Sequence, residues 1–364
     1  MNKSLQSKIL RALFIIVTIY LFLLSIKLLG HSFKMFGKGF AEGMIQMTSN
    51  PFAGLIIGIV ATSLIQSSST TTSIVVGLVA GGALSLYNAI PIIMGANIGT
   101  TITNTLVSLG HINNRVEFKK AFSASIVHDF FNVCAVLVLF PLELKFHFIA
   151  KTAGVLEKGF AGAGGMKMFN PLKFILNPAL KLVDFLIEPI PHASIFLMVL
   201  SLVLLFAALT MLTKTIRSMV LNKLELIIND YLFKNDTLGF ILGIVITSIV
   251  QSSSVTTSLI IPLAGAGIIS IRQIFPYTLG ANIGTTVTAI LASMATQNPI
   301  AVTVAFSHLC FNIFGILIFY PLKFIPIKLA EFVGGKASES KANLAGFVTI
   351  YILLHFIPIA FIVF

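Results

Sequence analysis

The sequence has no tryptophan, only two cysteines and few charges. Asp, Glu, Lys and Arg together make up 10% of its 364 residues. A soluble domain carries about 25%, so the shortfall excludes an ordinary soluble enzyme. Cys134 and Cys310 sit singly in the apolar runs VCAVLVLF and HLCFNIFG. That spacing excludes a disulfide framework or a cysteine metal cluster and makes both packing residues. Without tryptophan, any aromatic belt at a membrane surface must come from Phe and Tyr. The net charge of +12 comes from basic residues scattered between apolar stretches. It does not form the basic face of a nucleic-acid binder.

What is present is apolar surface: 57% hydrophobic residues and a mean hydropathy of +1.00. This composition predicts an all-α polytopic membrane protein whose surroundings are the lipid bilayer. At roughly 20 residues per span the length allows about ten membrane segments and no separate soluble domain. Lys3, Lys8 and Arg11 precede the apolar run 12–26, which no small-residue cleavage site follows, so it reads as a first membrane helix. Full spans are expected at 12–29, 121–140 and 193–212. An interfacial helix is expected at 31–49, a loop at 141–171 with a glycine-rich patch at 159–165, a weakly amphipathic stretch at 172–190 and a surface-lying segment at 214–236.

The strongest pattern is internal repetition. Residues 54–105 align without a gap to residues 239–290 at an offset of 185, with 26 of 52 positions identical. GIVATSLIQSSSTTTS meets GIVITSIVQSSSVTTS, and MGANIGTTIT meets LGANIGTTVT. At an offset of 180, VHDFFN (127–132) then meets SHLCFN (307–312). The chain is thus read as two copies of one unit, 1–190 and 191–364. Each has a QSSS hairpin, about 52–84 and 237–269, and a broken helix, about 88–109 and 273–294. The last flanking match sets 172–190 against the stretch from 352 to the C-terminus. Paired, interrupted apolar segments mark the binding site of secondary transporters. By analogy with these, the copies are expected to be inverted in the membrane.

The interrupted segments carry the chemistry. Half-hairpins of about 15 residues reach only about 22 Å of a roughly 30 Å core, so a re-entrant hairpin with QSSS at its tip is expected. Its second half offers free N–H groups to an anion. GANIGTT adds glycines that permit unwinding, Asn97 and Asn282, and the hydroxyls of Thr100, Thr103, Thr285 and Thr288. Carbonyl and hydroxyl oxygens of this kind suit a hard cation such as Na⁺. Residues 54–110 hold no charge, and 239–297 hold only Arg272, read as capping the loop before the second broken helix. No nucleophile or general base is present there for enzyme chemistry. An anion bound in such a site needs cations to balance it, which predicts coupling to Na⁺ or H⁺. His128 and His308 are read as structural hydrogen bonders. Asp129, an acid in an otherwise apolar span, is read as cation-related.

The doubled QSSS, each followed by a GANIGTT-like segment, resembles the type II sodium-dependent phosphate cotransporters and their bacterial relatives. The likeness covers roughly 50–142 and 238–322. It implies Na⁺-coupled import of inorganic phosphate around a midplane site between inverted repeats, with Na⁺ as coupling ion and no organic cofactor. It further implies a multi-pass protein of the cell inner (plasma) membrane, working as a monomer or homodimer. Carried over, Gln66, Ser67, Ser68 and Ser69 with Gln251, Ser252, Ser253 and Ser254 form the phosphate-binding shell and help to hold sodium. Thr285 and Thr288 sit where the family's threonines bind sodium, Thr100 and Thr103 are their repeat mates, and Asn97 and Asn282 are read as part of the same sodium shell. Asp129 stands where the family's electrogenic members carry Asp, which implies a further sodium shared with Asn132. The loop before this span reads His111-Ile112-Asn113-Asn114 where relatives carry Gln and Asp, leaving the stoichiometry open. The large extracellular loop of animal members and the soluble C-terminal domain of some bacterial relatives are absent from the sequence, as expected of a compact prokaryotic form. The design is also similar to elevator-type anion transporters. A carrier of another oxyanion or a dicarboxylate, an anion channel and a non-transporting scaffold remain the alternatives.

Overall fold

The computed structural model describes residues 3–165, 170–187, 189–231 and 235–356. Every regular element among them is helical. The first apolar run lies within α1 (Lys3–Met35), which continues through His31, where an interfacial helix was expected to begin. Only α2 (Lys38–Met47) lies across the chain's path, bent by 94° from α3 (Pro51–Ile65). Asn50 and Pro51 set that start. The Asn50 side chain accepts a hydrogen bond from Phe52 N at 2.9 Å, and Pro51 supplies a fixed φ at the first helical position.

Gln66 and Ser67 then reverse the chain into α4 (Ser68–Gly81), which ends at Gly82 in the left-handed region. Ser85 caps α5 (Leu86–Gly99), and a short step at Thr100 and Thr101 leads to α6 (Ile102–Ser108). Asn114 caps the long α7 (Arg115–Phe146). The stretch expected as loop is largely helix, since α7 runs on past Pro141 and α8 (Phe148–Gly162) follows. The buried Glu143 carboxylate accepts from Ile149 N at 2.6 Å, capping α8, whose Ile149, Ala150 and Ala153 form a buried stripe. That stripe is what the Lys- and Gly-rich composition concealed.

After α9 (Asn170–Ile187), α10 (Ala193–Tyr231) continues without a break into the segment expected to lie on the surface. The second hairpin is α11 (Asp236–Val250) followed by α12 (Ser253–Ser258) and α13 (Ile261–Gly265). The first hairpin's continuous α4 has Gly77 where this copy has Pro262. Proline removes an N–H and crowds the preceding turn, so the second copy splits. The last helices are α14 (Ile271–Thr296), α15 (Pro299–Phe319), α16 (Phe324–Glu339) and α17 (Lys341–Phe356). The counterpart expected for 172–190 lies, beyond residue 356, outside the described residues.

Among the described residues six helices are long and apolar enough to cross a membrane, or seven if α2 and α3 count as one bent span. About ten were expected. The difference lies in the hairpin halves, which are of 14–15 residues where unbroken and so fall short of a span. The chain is a multi-pass helical membrane protein.

The break expected in GANIGTT is present in the first copy, at Thr100 and Thr101, and absent from the second. The segment does not unwind at its glycines: α5 is helical through Gly99, and α14 is continuous through Gly280 and Gly284. The glycines serve close packing. A Cβ on Gly95 would collide with the Leu55 carbonyl, and one on Gly58 with the Ile92 carbonyl. In the second copy Gly280 meets Phe240 and Gly243 meets Tyr277 in the same way. Helix α5 thus packs backbone to backbone on α3, and α14 on α11. Arg272 is exposed, and the start of α14 is capped instead by Ser270 and Gln273, whose Oε1 accepts from Ser270 N at 3.0 Å. Cys310 is buried and Cys134 half-buried, both as free thiols.

Gly95→Ala should therefore destabilise the protein by about 1–3 kcal/mol, the usual cost of overpacking. Gly39→Ala, where a Cβ meets open space, should not. Thermal melting of the detergent-purified variants checks this, and equal melting temperatures would refute the packing role.

Candidate functional site

Each hairpin tip is built from the same parts. Gln66 (φ 56°) and Gln251 (φ 60°) adopt the left-handed conformation that glycine takes most easily. A glutamine held there at both tips marks positions where the side chain is worth its backbone cost. The next serine is extended and caps the following helix. Ser67 Oγ accepts from Thr70 N at 3.2 Å, and Ser252 Oγ accepts from Val255 N at 3.4 Å. Within each hairpin a threonine pair ties the two arms, Thr62 to Thr71 at 3.0 Å and Thr247 to Thr256 at 2.8 Å. Sequence reasoning passed over these pairs, although both lie at the repeat offset.

The tips meet inside the bundle. Ser69 Oγ donates to the Gln251 carbonyl at 3.3 Å. Ser254 Oγ donates to the Thr100 carbonyl at 3.2 Å, and Thr257 Oγ1 donates to Asn104 Oδ1 at 3.0 Å. Helix α4 packs against α14, and α12 against α6. Each hairpin's second arm therefore lies on the GANIGTT helix of the other copy.

The step after Gly99 is satisfied carbonyl by carbonyl. The Ala96 carbonyl accepts from Thr100 Oγ1, Asn97 from Asn132 Nδ2, Ile98 from Thr101 Oγ1 and Thr100 from Ser254 Oγ. Backbone released in an apolar bundle demands such partners.

A second layer joins the copies. Asn282 Nδ2 donates to Asn132 Oδ1 at 2.8 Å, and Asn282 Oδ1 is 2.6 Å from His128 Nε2. At the matching positions His308 Nε2 lies 3.4 Å from Asn97 Oδ1, and Asn312 Nδ2 lies 3.5 Å from the Asn282 carbonyl. All six side chains are buried. Both histidines bond as the sequence suggested. Asn97, Asn132 and Asn282 spend their side chains on this lock, and Asn132 is not turned to Asp129.

The halves differ where it matters most. Gln251 is buried, with Oε1 accepting from Thr288 Oγ1 at 2.7 Å and Nε2 donating to the Ser248 carbonyl. Its mate Gln66 is exposed, and Thr103, the mate of Thr288, is half-buried. Ser68, Ser69, Ser253 and Ser254 are buried. Thr100 and Thr285 each bond back along their helix at 2.9 Å. Asp129 is buried on α7 with no donor at ordinary hydrogen-bonding distance from either oxygen, and its carboxylate faces Tyr351. Among the described residues no three His, Cys, Asp or Glu gather to hold a metal ion.

Two polar hairpin tips meeting among uncharged hydroxyls, within a helical membrane bundle, are an arrangement suited to the binding site of a secondary carrier. The family model of the Na⁺/Pi-cotransporters matches residues 21–166 and 204–325. The chain belongs to that family. It is 33% identical to sodium-dependent phosphate transport protein 2A of Rattus norvegicus, over 98% of this chain and 68% of that protein. It is 34% identical to the 2A protein of Ovis aries (95% and 66%) and 32% identical to the 2B protein of Homo sapiens (97% and 65%). The chain thus spans about two thirds of these relatives' length. No solved structure matches it.

Asn282→Leu would strip partners from His128 and Asn132 together. With an unpaired buried polar group costing about 1–3 kcal/mol, this variant should melt well below the unaltered protein. Asn113→Leu, at an exposed position, should melt with the unaltered protein. A melting temperature for Asn282→Leu unchanged from the parent would dismiss the lock.

Proposed function

We propose that this protein imports inorganic phosphate by symport with Na⁺, by alternating access around the two QSSS tips. The observation that carries the reading is the Ser69–Gln251 contact between the tips, in a region whose side chains are hydroxyls and amides. Gln66, Ser67, Ser68 and Ser69 with Gln251, Ser252, Ser253 and Ser254 surround the phosphate, and the opening turns of α4 and α12 lend it N–H groups. Thr100, Thr103, Thr285 and Thr288 supply sodium ligands. Asn97, Asn132 and Asn282 contribute by holding the GANIGTT helices in register. The copies 1–190 and 191–364 act as inverted repeats in the plasma membrane.

The coupling follows from charge. A lone charge at the bilayer centre costs at least about 2.5–3.5 kcal/mol, and no cationic side chain is available from the tips to offset a divalent phosphate. Sodium must therefore bind first, and the loaded carrier moves as a more nearly neutral complex. Asp129 holds a further sodium, so each cycle carries net positive charge inward.

Radiolabelled phosphate uptake into proteoliposomes tests this. Uptake should saturate, require an inward Na⁺ gradient and fail with an equal K⁺ gradient. Sulfate and dicarboxylates should not compete. Flux without Na⁺ would point to a channel, and preferential competition by another anion would reassign the substrate. Ser67→Ala and Ser252→Ala should each cut uptake at least tenfold at normal expression. In Asp129→Asn, stimulation by an inside-negative potential should disappear while Na⁺-dependent uptake survives. Uptake indifferent to potential in the parent protein would remove the electrogenic part alone.

A further inference from the structure

Three features of the first copy have no equivalent in the second, and they converge. The step between α5 and α6 at Thr100 and Thr101 corresponds to unbroken helix in α14. Thr105 stands opposite Ile290 at the 185 offset, and Asp129 stands opposite Leu309 at the 180 offset. A hydroxyl and a carboxylate are thus both replaced by apolar residues in the other copy. Thr101, Thr105 and Asp129 are all buried, at 0%, 6% and 8% exposure. Neither Thr105 Oγ1 nor either Asp129 oxygen has a partner at ordinary hydrogen-bonding distance.

The group they share comes from elsewhere in the chain. Tyr351 on α17 lies beyond the residues matched by the family model. Its hydroxyl is 3.5 Å from Thr101 Oγ1, and Thr105 and Asp129 are its other polar neighbours. The ring is held by Phe347, one turn earlier, with centroids 5.7 Å apart. Phe347 in turn meets Phe122 of α7 edge-on at 5.0 Å. Helix α17 is thereby anchored to the helix that carries Asp129, two turns away from Phe122.

We infer that Tyr351 is a ligand of the coupling cation. Its hydroxyl oxygen, with those of Thr101 and Thr105 and the Asp129 carboxylate, completes an all-oxygen site for one sodium ion, the ligand chemistry hard cations select. This rests on the reading of Asp129 as a cation residue and adds to it a side chain from the C-terminal helix. Without the ion, the hydroxyl remains a donor toward the carboxylate. With the ion bound, it turns its lone pairs inward. Occupancy of the site is thereby sensed by α17, which also packs on α3 of the first hairpin.

The test is Na⁺ activation of phosphate uptake in proteoliposomes for Tyr351→Phe, Thr105→Val, Asp129→Asn and the Tyr351→Phe/Asp129→Asn double variant. Tyr351→Phe keeps the ring packing and removes only the oxygen. The half-activating Na⁺ concentration should rise roughly three- to tenfold, as expected for one lost polar partner, and the Li⁺-to-Na⁺ activation ratio should change. The phosphate KM at saturating Na⁺ should hold. Thr105→Val should behave alike, and the double variant should match Asp129→Asn alone. A parental Na⁺ response and Li⁺ ratio in Tyr351→Phe, beside a shifted Asp129→Asn, would overturn the role of Tyr351 and leave the Asp129 reading intact. A parental response in Asp129→Asn would overturn both. An equal shift from Tyr351→Phe in the Asp129→Asn background would show that the tyrosine acts through the fold, not the ion. Should Tyr351→Phe fail to assemble, Thr105→Val decides alone, a parental response sinking the site.

Discussion

Inside an apolar bundle, every carbonyl, amide and hydroxyl released from regular helix must find a partner within the protein, and this constraint arranges the whole site. Around the step after Gly99 four carbonyls accept from side chains. Two of those donors, Asn132 and Ser254, come from outside the helix that breaks, and Ser254 belongs to the other copy. Each hairpin reverses through only two residues outside helix, and the second of these, a serine, caps the arm that follows. Because donors come from across the boundary between copies, neither half satisfies its polar atoms alone.

The same bonds show how two copies of one sequence pattern reach different ends. Paired interactions hold the common frame: the threonine pairs within the hairpins, the serine caps and the histidine–asparagine contacts. The departures are local and chemical. Pro262 for Gly77 splits the second arm of one hairpin. Gln251 is locked to Thr288 while Gln66 is exposed. Asp129 and Thr105 have apolar mates. The copies share these paired contacts, and the departures leave the first with a buried carboxylate where the second has Leu309.

Much of this was legible in the sequence, and the failures have physical causes. Glycine, serine and proline punctuate the apolar runs, and helices α3, α4 and α11 to α13 start and stop near them. The two histidines were read correctly because their repeat positions coincide. The glycines of GANIGTT were misread, since glycine serves unwinding and close packing equally, and only the neighbouring backbone distinguishes them. Helix α8 was missed because its apolar stripe is three residues wide and its cap, Glu143, sits on the preceding helix. Tyr351 carries no local signal at all. It is one aromatic in an apolar helix, and its partners lie more than 200 residues away in sequence.

The scarcity of charge in the repeats determines how such a carrier must work. A binding site built with lysine or arginine would hold an anion without help and would release it slowly. A site of hydroxyls and amides holds a polyanion only while cations share it, because the energy of burying charge falls on the unneutralised complex. Affinity for the anion is then a property of the ion-loaded protein. Each cation that leaves weakens the hold on what remains. Thermodynamic coupling of this kind needs no mechanical linkage between separate sites, only that the site be too poor in positive charge to work alone. The absence that first excluded a soluble enzyme is, in this sense, the feature on which coupled transport depends.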